Sequence, residues 1–185
     1  MLLPGGLFNY AMVLHAGGRN DAALNALYES RKLRVAQFGE RHPQVGETDR
    51  MIGEVLADSG RSAAALARFE QALELITAGY GPSHPRTQRA ALSLARAQAR
   101  NGDPLAMETL VVIAAAPGAD PEASKLRWRA RAYVAEARCQ GSEGTFARTE
   151  LEALQLELRS AWPDGGVIPR EVEAIRAGCN ALARR

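Results

Sequence analysis

Gly18, Gly60 and Gly102 stand at a constant interval of 42 residues, and that interval organises most of the chain. The same shift carries Gly39 onto Gly81, His42-Pro43 onto His84-Pro85 and Phe38 onto Tyr80. It also aligns Ala22 with Ala64 and Ala106, Leu24 with Leu66, and Leu33 with Leu75. The matches fall on turn residues and on small or apolar positions, while charged positions vary. A stack of structural units diverges in this way when packing is kept and surface is not.

Each unit reads as a helical hairpin. Val45, Met51, Ile52, Val55 and Leu56 recur at helical spacing and stop at Asp58-Ser59-Gly60, where glycine suits a helix C-cap. Ala64, Leu66, Ala67, Phe69, Ala72, Leu73 and Ile76 form the apolar face of a second helix, which ends at Gly79-Tyr80-Gly81-Pro82. The same logic predicts first helices over 4–17, 44–58, 86–101 and 121–140, and second helices over 20–38, 62–79, 104–116 and 144–161. A final capping helix is expected over 169–184, with Pro169 at its start, where a missing N–H costs nothing. The fourth unit departs from the pattern: Pro117-Gly118-Ala119-Asp120-Pro121 replaces the Gly-x-x-His-Pro turn, and Gln140-Gly141-Ser142-Glu143-Gly144 makes a longer loop. One all-α domain of 185 residues follows, with units over 4–39, 44–81, 86–117 and 121–161.

Composition agrees. The chain has 35 alanines but only 5% aromatic residues, so its core is built from Ala and Leu, the best helix formers, and composition disfavours a β-sandwich or barrel. A net charge of +2 is too mild to imply nucleic acid or membrane. No run approaches the length of a membrane span, and Met1-Leu2-Leu3-Pro4-Gly5-Gly6 lacks the basic start of a signal peptide. Cys139 and Cys179 are read as buried, inert thiols: one repeat apart, they are expected at a helix–helix distance of about 8–10 Å, too far for a disulfide. A reducing compartment, the cytoplasm, is the simpler expectation. The abrupt helical start near Leu7 suggests a piece of something longer.

The run Leu7-Phe8-Asn9-Tyr10-Ala11-Met12-Val13-Leu14, followed by Gly18-Arg19 and Ala22, resembles the first helix and turn of a tetratricopeptide repeat. Leu24, Leu27, Tyr28, Leu33 and Phe38-Gly39-Glu40-Arg41-His42-Pro43 resemble its second helix and linker. The 42-residue period with its Gly-x-x-His-Pro linker is similar to the subtype found in kinesin light chains and many bacterial signalling proteins. The resemblance is good over residues 7–116 and weaker over 117–185. It implies a right-handed solenoid of antiparallel helix pairs, with a small residue between paired helices matched by Ala11, Gly53 and Ala95. It also implies a non-catalytic module that binds a protein or peptide in a concave groove lined by first helices. The same resemblance leaves open a regulatory or sensor segment of a larger signalling protein, such as a bacterial kinase or transcription regulator.

Mapped from the small packing residue, the family's groove positions fall on Phe8 and Met12, on Glu47, Arg50, Glu54 and Ala57, on Arg89, Leu92, Arg96 and Ala99, and on Trp128, Arg131, Ala135 and Arg138. Asn9 matches the asparagine that holds a ligand backbone in the family, but Met51 and Ser93 replace it in the next two units. Arginine takes its place. Guanidinium suits bidentate carboxylate recognition, so an acidic or carboxylate-terminated peptide is the sharper expectation. The plainer one is a solvated face, since the chain has 21 arginines and Glu47, Glu54, Glu108 and Glu136 stand ready to pair with some of them.

Other chemistry finds little support. His42 and His84 recur at the period and read as linker residues, and nothing completes a metal site around them. His15 is a lone histidine late in the first helix and carries no signal. All three histidines precede both cysteines by many residues, which leaves a Cys-His dyad without a partner. No cofactor or metal is expected. Lys125-Leu126-Arg127-Trp128-Arg129-Ala130-Arg131 is the most basic stretch, but on a helix its arginines point in several directions, against nucleic-acid binding. Trp128 is either a groove anchor or core, and Trp162-Pro163 seals the end of the stack. Monomer and homodimer are both left open.

Overall fold

A computed structural model of the chain describes residues 3–115, 120–139, 141 and 143–183. Among them lie nine helices and no strand: α1 (Pro4–Ala16), α2 (Asn20–Phe38), α3 (Pro43–Asp58), α4 (Ser62–Tyr80), α5 (Pro85–Arg100), α6 (Pro104–Ala115), α7 (Pro121–Cys139), α8 (Gly144–Ala161) and α9 (Val167–Leu182). This is an all-α helical-repeat architecture of the solenoid class. Pro117, Gly118 and Ala119 of the fourth linker, Gln140 and Ser142 of the longer loop, and Arg184 at the end of the expected capping helix lie outside the described residues.

The turns explain the period. Gly18, Gly60 and Gly102 all have positive φ, at 73°, 76° and 84°, a region that glycine enters without steric cost. At each of these turns the next residue bonds five residues back: Arg19 N to Leu14 O, Arg61 N to Leu56 O and Asp103 N to Gln98 O. These bonds satisfy the last carbonyls of the first helix and reverse the chain. The linkers repeat as well. Gly39 and Gly81 share a φ of 87°. His42 Nδ1 then accepts from Gln44 N at 3.2 Å, and His84 Nδ1 from Arg86 N at 3.1 Å, so each histidine caps the helix that its proline begins. Each ring also stacks on the aromatic residue ahead of the glycine, His42 on Phe38 at 4.6 Å and His84 on Tyr80 at 4.7 Å.

The helices divide into two compact units, one ending at Ala97 and the other starting at Gln98. In the first, α1 pairs with α2, α2 packs on α3, and α3 pairs with α4. Ala11, Leu14, Leu24, Leu27, Ile52, Val55 and Phe69 form its main core, with Leu94 and Ala97 of α5 packed against it. Ala72 and Ile76 of α4 meet Ala90 of α5 in a second cluster. The small packing residues do what their type suggests. Ala11 is fully buried, and a Cβ on Gly53 would lie 2.7 Å from the Phe69 ring, so no side chain fits there.

In the second unit α7 packs on α6, α8 and α9, and α8 packs on α9. Leu151, Leu154 and Leu158 of α8 and Ile168, Val172 and Ile175 of α9 are all buried. Two expectations are corrected here. The final helix begins at Val167, not Pro169; Pro169 sits within the first turn, where an N–H would have no helical acceptor and proline's lack of one costs nothing. The cysteines are not free thiols. Cys139 and Cys179 form a disulfide with a Cα–Cα distance of 5.5 Å, inside the range a bridge requires. The larger distance was expected from successive stacked units. Instead α9 packs on α7, and the two helix backbones come to 5.5 Å at Cys139 and Cys179. A reducing compartment, inferred from free thiols, loses that support.

Candidate functional site

Three first helices of unit 1 carry the expected groove residues in strict register. Met12, Glu54 and Arg96 are equivalent positions on α1, α3 and α5, and none is buried. Met12 is 46% exposed. Phe8, Arg50 and Leu92 form the next row and lie deeper: Arg50 and Leu92 are buried and Phe8 packs against the core. Asn9 is exposed, while its counterparts Met51 and Ser93 are buried.

Charge on this face is organised rather than open. Arg50 pairs with Glu47 at 3.5 Å and, through its other nitrogen, with Glu54. Glu54 also accepts from Ser93 Oγ at 3.3 Å, which links α3 to α5. Arg86 approaches Glu47 at 3.6 Å. The guanidinium of Arg50 therefore faces two carboxylates of its own helix, and what it contributes to the face is a neutralised cluster. Arg89 and Arg96 of α5 are half-buried.

This burial has a local cause. Every residue from Val45 to Gly53 is buried, because α3 lies between α2 and α4, with Leu94 and Ala97 of α5 packed against the same core. Polar residues in such a helix need partners. Asp49 accepts from Arg31 of α2 and Arg68 of α4, and Thr48 Oγ1 accepts from Arg34 Nη1 at 2.9 Å. Arg34 further lies over the Phe8 ring at 4.8 Å.

Sequence reasoning passed over His15. Its Nε2 lies 2.9 Å from Asp58 Oδ2, which ties the C-terminal ends of α1 and α3. The hydrogen bond to Asp58, opposed by partial burial and aided by the charges of Asp58 and Glu54, raises the His15 pKa above its ordinary value. The pair does not repeat: the equivalent positions one unit on are Ala57 and Arg100. Nothing in the periodicity could have found it.

In unit 2, Trp128 and Arg131 converge on one carboxylate. Trp128 Nε1 donates to Glu157 at 2.7 Å and Arg131 Nη1 donates at 2.6 Å. Burial works against the Glu157 carboxylate, but these two hydrogen bonds together with the charges of Arg131 and Arg127 outweigh it and hold its pKa below the ordinary value. The Trp128 ring meets Trp162 edge-on at 4.9 Å. Trp128 and Trp162 are both half-buried. Arg138 is taken up by Glu143 and Glu150, each at 3.2 Å, and Ala135 is buried.

Among the described residues no group of three or more His, Cys, Asp or Glu could hold a metal ion, and no helix is long and apolar enough to cross a membrane. Compared with known proteins, a family model described as tetratricopeptide repeat matches residues 5–78 and again 44–106. Together the matches span more than half the chain. No curated protein matches it.

Proposed function

The chain belongs to the tetratricopeptide repeat family, a non-catalytic repeat that mediates protein–protein interactions, and from that premise we propose that unit 1 binds a peptide or protein segment along α1, α3 and α5. The row Met12, Glu54 and Arg96 carries the reading, since it presents accessible, chemically distinct side chains at equivalent places on three helices. A segment crossing them meets an apolar, an acidic and a basic residue in turn. Stacked hairpins leave such a surface unconstrained by stability, because the core lies between the helices.

The preference for an acidic ligand is argued from residue type and register: Arg50, Arg89 and Arg96 stand at groove positions, and guanidinium suits carboxylate recognition. Asn9 and Met12 supply a hydrogen-bonding and an apolar contact at the other end. The 42-residue register and the capping histidines support the kinesin-light-chain-like subtype.

Fluorescence anisotropy with labelled acidic peptides and neutral scrambles tests the reading. Acidic peptides are expected to bind more tightly, and less so as salt rises. Arg89→Glu with Arg96→Glu should remove that preference at unchanged helicity, and Met12→Glu should weaken both peptide sets. Equal affinity of acidic and neutral peptides rejects the acidic preference. Full binding by the Met12 variant rejects the face.

A further inference from the structure

Leu3, Tyr10 and Val13 occupy the positions that Val45, Ile52 and Val55 hold in α3. In α3 all three are completely buried, and Ile52 and Val55 belong to the core shared with Leu14 of α1 and Leu24 and Leu27 of α2. The α5 counterparts behave alike: Thr87 is buried, and Leu94 and Ala97 pack against the same core. At the N-cap of α1 and on the helix itself the equivalent side chains, Leu3, Tyr10 and Val13, are 76%, 55% and 70% exposed. The fold thus uses this row twice as a buried contact with a preceding helix pair and presents it a third time to solvent.

We propose that this row on α1 is the contact surface of a homodimer, in which α1 of one copy packs against α1 of a second copy about a two-fold axis. The occupant of this row is helical wherever the fold covers it, which points to a helix and not an extended peptide. Charge favours a second copy. A two-fold contact sets each residue near its own equivalent, so any charge on the helix would meet its like. Among the nine described helices α1 alone carries no Asp, Glu, Lys or Arg. A Cβ built on Gly6 meets nothing within 4 Å, so this side of the helix allows close approach. Burying these side chains and their neighbours on both copies removes on the order of 1,000 Å² from water, the lower end for a specific interface. An interface of that size is a small one, so association is sought across the micromolar range. The row is separate from the one marked by Met12, Glu54 and Arg96, so this inference stands apart from the peptide-binding face.

Sedimentation velocity of the whole chain from about 1 to about 100 μM tests it. The expected result is a monomer–dimer equilibrium whose midpoint falls in that range. Tyr10→Glu with Val13→Glu should weaken association at least tenfold without loss of helicity, while Tyr28→Glu, on an exposed site of α2, should leave it unchanged. Both native cysteines are in the disulfide. A Tyr10→Cys variant therefore has one reactive thiol, and a short bis-maleimide should link it into a covalent dimer. A chain that stays monomeric throughout overturns the proposal, as does a double variant that associates like the wild type. A dimer that Tyr10→Cys fails to link would place the contact elsewhere and overturn it too.

Discussion

Arg31 of α2 donates its Nε proton to Oδ1 of Asp49 on α3 at 2.8 Å, and the aspartate side chain has no exposure to solvent. Arg68 of α4 reaches the same oxygen at 2.9 Å. One buried carboxylate thus joins three successive helices. Removing it strands two guanidinium groups in a low-dielectric setting, whereas removing all three charges strands none. Asp49→Ala should cost about 3 kcal/mol, the low end for a broken buried pair because both arginines keep some access to water. Arg31→Met, Asp49→Leu and Arg68→Met together should recover most of that loss. Urea unfolding of the two variants decides it, and a triple variant less stable than the single would refute the account.

Arginine is where sequence reading and structure part most clearly. Its abundance was visible; its employment was not. Arg31, Arg34, Arg68, Arg129 and Arg131 each bond to a different helix, at sequence separations from 10 to 42 residues. None of these pairs recurs with the period, so no alignment of the units could reveal them. The turns were legible for the opposite reason. Positive-φ glycines and His-Pro caps are local chemistry, repeated in register, and they fixed the helix ends to within two residues. The disulfide was missed because α9 leaves the stacking pattern on which the distance was reckoned.

Gly53 and Phe69 give a direct measure of the close approach between α3 and α4. A methyl group added to Gly53 meets Cε1 and Cδ1 of the ring at 2.7 and 2.8 Å, so the ring must move. Gly53→Ala should destabilise by about 1–3 kcal/mol despite its better helix propensity. Adding Phe69→Leu should make the alanine nearly harmless relative to Phe69→Leu alone. Thermal unfolding of this four-member cycle carries the answer, and additive effects would rule out the steric coupling.

The Cys139–Cys179 bridge closes a loop of 40 residues. On the chain-entropy model a loop of that size stabilises by about 4 kcal/mol. Cys139→Ala with Cys179→Ala should therefore lower the melting temperature by several degrees, and reductant should do the same to the wild type but not to the variant. Arg129 and Tyr133 of α7 both bond Glu171 of α9, so part of the helix contact survives reduction. Digestion without reductant should yield one peptide pair containing both cysteines. Two separate free-thiol peptides from oxidatively purified protein would contradict the bridge.

His15 and Asp58 make stability depend on pH near neutrality. Because the hydrogen bond to Asp58 raises the folded-state pKa of His15 above 6.5, the folded chain holds this proton more tightly than the unfolded chain does. The pair's contribution is fully present below the unfolded value and is lost as pH rises through the folded one. Glu157 has the opposite sign. Its folded pKa is depressed below 4.5, so its contribution is present above that value and is lost as pH falls through the lower, folded one. The two windows do not overlap, which keeps the test clean. Wild-type stability should decline between about pH 6 and 8 by several tenths of a kcal/mol, a small effect because the Asp58 side chain is about half exposed. His15→Gln should flatten that slope while leaving the acid limb near pH 4 in place. Asp58→Asn should flatten it as well, since either change removes the charged pair. A slope near neutrality that persists in both variants would assign the titration to another group.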